Sequence, residues 1–264
     1  MRNINYFFVF ILFFLFQNLT FAQDRHWVAA SASNWNSNNW SSTAGGAPDG
    51  LGAPTSLQNA IFNSSNIANC TVNFFVAIQS IQINSGYTGT IDINANTFII
   101  NGANDNIFAD GIVADLTNTA TLTVTSTART TFSGTTFDLP LSVLSGRILL
   151  NGSTFNSFST LNKTGSGNDL GTGGNTFNSD VSITNSGTSY LGMGNTTPDI
   201  FNKDLNLYNY GTNRILIANN SLGNQFNGNV SLNATSGTGI RFGRRAGANS
   251  SVLAADKLIF IGSD

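Results

Sequence analysis

Hydrophobic and polar residues alternate along this chain in short stretches, and the stretches recur. Phe155-Asn156, Phe177-Asn178, Phe201-Asn202 and Phe226-Asn227 stand at intervals of 22, 24 and 25 residues. With each Phe as zero, positions +4 and +6 read Val181/Ile183, Leu205/Leu207 and Val230/Leu232. Positions +14 and +16 read Leu191/Met193, Ile215/Ile217 and Ile240/Phe242. The unit that Phe155 opens departs from this, with Ser159/Leu161 at the first pair and Leu170 one place out of register. Period-two alternation marks a strand with one buried face, and the NSG, YGTN and SGTG clusters between pairs supply turns. The pattern predicts two short strands and a Phe-bearing corner per repeat. The fold class it implies is all-β: a right-handed parallel β-helix, or β-solenoid, with coils of about 22–25 residues. Equivalent residues would then lie about 4.8 Å apart along the axis. Phe155, Phe177, Phe201 and Phe226 would stack inside, and Asn156, Asn178, Asn202 and Asn227 would form a hydrogen-bonded ladder. A lone coil buries too little apolar surface to offset the entropy of ordering it, so coils must stack.

The same grammar continues upstream with less regularity, through Ile81/Ile83, Ile91/Ile93, Phe98/Ile100, Leu122/Val124, Leu141/Val143 and Ile148/Leu150. Residues 71–264 therefore read as one solenoid of about eight coils. Phe62 lies outside the regular columns and is expected to matter less than Phe201. Residues 23–70 differ, because Trp27, Trp35 and Trp40 occur only there, with Pro48 and Pro54. The expected role is a cap over the first coil's open edge; a loosely ordered linker is the competing reading. A β-sandwich would not need Phe-Asn at a fixed spacing. The segment AADKLIFIGSD ends on a strand pattern, so continuation into a longer repeat protein is expected.

Residues 1–22 fall outside this pattern. A positive start (Met1, Arg2) precedes the unbroken apolar run FFVFILFFLF, and Thr20-Phe21-Ala22 suits cleavage before Gln23. That layout predicts a secretory signal peptide, because a membrane span needs about 20 apolar residues. The expected location is secreted or at the cell surface, with no membrane insertion after removal of the signal.

Composition sharpens the class. Every acidic residue is Asp, and Lys occurs only at 163, 203 and 257. Glu and Lys are strong surface helix formers, and one is absent and the other rare, while Thr, Ser, Asn and Gly favour strands and turns. The net charge of −2 lacks the basic footprint of a nucleic-acid binder. Cys70, the only cysteine, can form no internal disulfide and is expected to be a buried thiol.

Two segments resemble a known group. NWSSTAGGAPDGLGAPTSLQNAIFNSS, followed by CTVN and IQSIQINSGYTGTI, resembles the N-terminal region of large repeat-rich surface proteins of Bacteroidota. FNGNVSLNATSGTGIRFGRRAGANSSVLAADKLIFIG is similar to the repeats that fill them. The resemblance implies an adhesin-like cargo of the type IX secretion route, with no catalytic residues to carry over. The sorting domain of that group is absent from this sequence.

Candidate chemistry is sparse. His26, the only histidine, would have to serve any Ser-His-Asp site. Asn104-Asp105-Asn106 with Asp110 and Asp115 is the best calcium cluster but lacks EF-hand spacing, and turn-forming Asx residues account for it better. No cofactor is expected. Parallel β-helices also carry polysaccharide lyases and hydrolases, and Asp180 and Asp204 share column +3 as a candidate carboxylate pair. The preferred function is a non-catalytic stalk or adhesin-like segment, with the carbohydrate-active enzyme as the alternative. Expected partners are extracellular glycans or host and cell surfaces. Arg241, Arg244 and Arg245 in GIRFGRRAG form the candidate ligand patch, with Ile240 and Phe242 expected to point inward around Arg241.

Overall fold

A computed structural model describes residues 23–234, 239–243 and 252–262. The expected signal peptide (residues 1–22), Arg244 and Arg245 lie outside the described residues. The chain is all-β, with no helix among the described residues. The described strands form three sheets of 14, 10 and 4 strands, and none of the three closes into a barrel. Neighbouring strands are parallel throughout, except where Trp40–Ser41 runs antiparallel to His26–Trp27 at one end of the largest sheet.

Each passage of the chain contributes in turn to the sheets and returns beside its predecessor. In the largest sheet Val181, Leu205, Val230 and Ile259 are partners in register, as are Ile183, Leu207, Leu232 and Ile261. In the second sheet Phe155, Phe177, Phe201 and Phe226 are partners. In the smallest sheet Leu191, Ile215 and Ile240 are partners. A repeat therefore holds three strands rather than two, and the Phe lies within a strand of the second sheet rather than at a corner. The reason is that Thr154-Phe155 and its counterparts already pair with the next passage.

The second sheet extends this column well before Phe155. Ser33, Cys70, Ile91, Val113 and Phe137 hold the same register position. Cys70 is fully buried there and its thiol is free, and burial pushes its pKa up. The step from Asp138 to Asn156 is only 18 residues, shorter than the 22–25 expected.

Tight corners are kept narrow by glycine. A Cβ on Gly187 would lie 2.2 Å from the Gly165 carbonyl oxygen, and one on Gly211 would lie 2.1 Å from that of Gly187. These glycines stack because adjacent passages touch backbone to backbone at this bend. Gly187→Ala is expected to destabilise by about 1–3 kcal/mol or more through overpacking. An unchanged thermal midpoint for that variant would contradict the close approach.

The N-terminal end is aromatic. Trp27, Trp35 and Trp40 are fully buried and pack edge-on, with Trp40 5.2 Å from Trp27 and 4.8 Å from Trp35 between ring centroids. Phe62 fills the space beneath, 5.7 Å from Trp40 and 5.2 Å from Tyr87. Phe62 is not peripheral as its place outside the regular Phe-Asn columns implied: it is in register with Ile83 and joins the tryptophans to the first regular passages. Arg25, fully buried, clamps the Asp49–Gly52 loop across this end. Its guanidinium donates twice to the Asp49 carboxylate, both at 2.8 Å, and to the Gly52 carbonyl. The Arg25 hydrogen bonds hold the Asp49 carboxyl well below the usual carboxylate range.

Candidate functional site

Side chains of equal position form ladders, and these ladders decide which polar groups are left for chemistry. Inside, the Phe rings lie nearly parallel, with centroid separations of 4.7 Å for Phe155–Phe177, 5.0 Å for Phe177–Phe201 and 5.3 Å for Phe201–Phe226. Outside, the Asn amides connect in one direction. Asn178 donates to Asn156 at 2.6 Å, Asn202 to Asn178 at 2.7 Å and Asn227 to Asn202 at 2.9 Å. Asn156 in turn donates to Asp138, so a carboxylate begins the row.

Asp180 and Asp204 are placed one above the other, as their shared column predicts, and both carboxylates are engaged as braces. Asp180 accepts the backbone N–H of Asp204 at 3.0 Å, and Asp204 accepts that of Asn229 at 2.8 Å. Asn229 continues the series by accepting from Leu258 at 3.1 Å. Asn substitutes for Asp here because a side-chain acceptor is all the position requires.

Another ladder was not foreseen, since its residues read as ordinary turn formers. Asn175, Asp199 and Asn224 stand two residues before successive Phe and are buried. Asn175 accepts the N–H groups of Gly152 and Ser153 at 3.0 and 3.1 Å. Asp199 Oδ1 accepts from the Asn175 backbone and side-chain nitrogens at 2.9 and 2.7 Å, and Asn224 accepts from the Asp199 N–H at 2.9 Å. The other Asp199 oxygen, Oδ2, is buried with no hydrogen-bond partner among the described residues. Burial outweighs the two Asn175 hydrogen bonds and pushes its pKa up to about 6.

A buried ionic group lies one corner away. The inward place in the first unit belongs to Asp169, while Leu170 is 36% exposed, which explains why Leu170 falls out of register. Arg147 Nε donates to Asp169 Oδ1 at 2.8 Å, and the Ile148 N–H donates to Oδ2 at 3.0 Å. Lys163 Nζ lies 4.0 Å from the same carboxylate and donates to the Gly165 carbonyl at 2.6 Å. Burial lowers the Lys163 pKa against the pull of Asp169. Lys163 shares its register column with Asn185 and Asn209, and its ammonium braces the corner loop as the Asn185 amide does by donating to Ser189 at 3.1 Å.

The remaining candidates disperse. Asp105 pairs with Arg129, Asp110 accepts from Ser85 and Gly86, and Asn106 accepts from Ile81. Asp115 is buried at a turn; burial raises its pKa, but bonds from Thr117, Ala120 and Thr119 of that turn and from Ala95 of the preceding passage outweigh it and hold the carboxyl well below the usual range. No group of three or more metal-ligating side chains occurs among the described residues. His26 is half-buried, with Asn63 3.1 Å from its Nδ1, and burial lowers its pKa. Arg241 is exposed and pairs with Leu216. Ile240 beside it is half-buried, and Phe242 is 38% exposed rather than enclosed, although its ring meets Phe226 at 5.7 Å.

Comparison with protein-family models, with curated proteins and with solved structures gives no match.

Proposed function

We propose that this chain is an exported, right-handed parallel β-solenoid with coils of about 22–25 residues, serving as a stalk or adhesin-like segment at a cell surface and not as a catalyst. The observation that carries the reading is the continuity of the ladders. Phe rings, Asn amides and Asp braces repeat from passage to passage, and the carboxylates that would supply catalytic groups hold backbone N–H groups instead. Parallel strands joined by a crossover are almost always right-handed. The charged start, apolar run and Thr20-Phe21-Ala22 support export, and the resemblance to repeat-rich surface proteins of Bacteroidota supports surface display. In this reading residues 23–70, with their three tryptophans, close one end of the stack. Partners would be extracellular glycans or host and cell surfaces, and no cofactor is required.

The test uses the secreted protein. Its first residue is expected to be Gln23, and polysaccharides incubated with it are expected to keep their length. Retention of Phe7–Phe16 in the mature chain would remove the export reading. Steady shortening of a polysaccharide, abolished by Asp180→Asn or Asp204→Asn, would replace the stalk with an enzyme.

A further inference from the structure

Two adjacent phenylalanines are left in solvent at the N-terminal end. Val72 and Val76 are buried, and their backbone N–H groups donate to the carbonyls of Asp92 and Thr97 at 2.7 and 2.9 Å. Between these anchors Phe74 is 42% and Phe75 58% exposed. A single exposed apolar side chain is ordinary, but an adjacent pair held on anchored backbone calls for an account. The pair borders a recess of about 470 Å³, within the range of about 300–1,000 Å³ usual for small-molecule sites. Its other walls come from Trp35 and Asn36, which follow the strand Ser33–Asn34, and from the loop at Pro54, Thr55 and Ser56. Asn73 Nδ2 donates to Asn36 Oδ1 at 3.0 Å and so ties two of the walls together.

The lining is mixed in polarity but uncharged. None of the residues that line it is Asp, Lys, Arg or His. Trp35, Pro54, Phe74 and Phe75 give it apolar surface, while Asn36, Thr55 and Ser56 give it amide and hydroxyl groups. Trp35 adds a further polar group. Its ring is fully buried against Trp40 and Phe98, yet its Nε1 has no hydrogen-bond partner among the described residues. Trp27 and Trp40 satisfy theirs, donating to the carbonyls of Ala68 and Trp35 at 2.9 and 2.7 Å. A buried donor without an acceptor costs free energy, so the recess favours a ligand that brings one. A charged ligand would meet no counter-charge here. A wholly apolar one would cover the amide and hydroxyl groups without pairing them.

We propose that this recess binds a neutral sugar residue of a glycan, its C–H face laid on Phe74 and Phe75 and one of its oxygens accepting from the Trp35 indole N–H. The face of an aromatic ring carries partial negative charge, which attracts the polarised C–H groups of a sugar. Sugar hydroxyls both donate and accept, which suits Asn36, Thr55 and Ser56 together. The proposal rests on the surface-display reading, to whose glycan partners it gives a site and a charge class. It is tested by binding alone, so it can fail while the export and polymer-length results stand.

Titration calorimetry of the secreted chain decides it, with cellohexaose, mannohexaose and N-acetylchitohexaose as neutral probes and hexagalacturonate and tri-leucine as controls. Binding is expected to at least one neutral probe, little changed by salt, and to neither control. Phe75→Ala is expected to weaken it about tenfold. Phe158→Ala, which removes a ring 47% exposed outside the recess, should leave it unchanged. Proton–nitrogen NMR of the wild type reads the buried donor without any substitution. The bound sugar is expected to move the Trp35 indole signal further than those of Trp27 and Trp40, whose N–H groups already have acceptors. Binding to none of the neutral probes, preference for hexagalacturonate or tri-leucine, equal binding by the two phenylalanine variants, or a Trp35 signal that stays in place while sugar binds would overturn the proposal.

Discussion

Replacing Phe201 by alanine is expected to cost about 3–5 kcal/mol of stability, through lost burial and the cavity left behind. The ring is 1% exposed and sandwiched between Phe177 at 5.0 Å and Phe226 at 5.3 Å. Partial collapse is hindered because the strands on either side are fixed in register. Phe62→Ala is expected to fall in the same range, although its neighbours are Trp27, Trp35, Trp40 and Tyr87 rather than other Phe residues. Urea unfolding of the two variants provides the check. Small losses in both would show that neither aromatic contact contributes much to the packing.

The second large effect has the opposite sign. Asp199→Asn is expected to stabilise the protein at neutral pH by up to about 3 kcal/mol, from a pKa of about 6 against an ordinary 3.8. In the folded chain the carboxyl keeps its proton up to about pH 6, whereas the unfolded chain releases it near pH 4. Folding therefore takes up a proton between these values, and wild-type stability falls as pH rises from about 4 to about 6, then levels off. The amide removes that dependence. It keeps Oδ1 as the acceptor for Asn175 and turns the unpartnered Oδ2 into a donor, as Asn175 already is toward residue 199. Melting midpoints of the two proteins at pH 4 and pH 7 should converge at the first and separate at the second. Parallel curves across that range would show that Asp199 is not the titrating group.

Position 199 also shows where sequence reading runs out. The Phe-Asn columns and the strand pairs that follow them were legible from spacing alone, because burial on one face enforces both residue type and interval. The third strand of each passage escaped as a separate element, since Thr176-Phe177 and its counterparts are too short to display alternation. Cys70, Ile91 and Val113 share the Phe column, yet differ in type and arrive at other intervals, so no repeat search aligns them. Asn175, Asp199 and Asn224 point inward although their chemistry suggests solvent. What makes them internal is a corner whose backbone N–H groups need acceptors, a requirement that appears only once the passages are folded together. Among the candidate ligand groups, exposed Arg241 was visible as part of a charge cluster.

The in-register columns carry a consequence for how such a chain can change over generations. Each passage bonds to the one before and the one after, so excision of residues 179–202 would bring Phe177 against Phe226 with every column resumed in phase. Gain or loss of a whole repeat by unequal genetic exchange then leaves the interfaces chemically alike. Length becomes a trait that can drift or be selected separately from fold, and the unequal intervals of 22, 24 and 25 residues between in-register Phe show that small length changes are absorbed at the corners, whereas one inside a strand would shift its column.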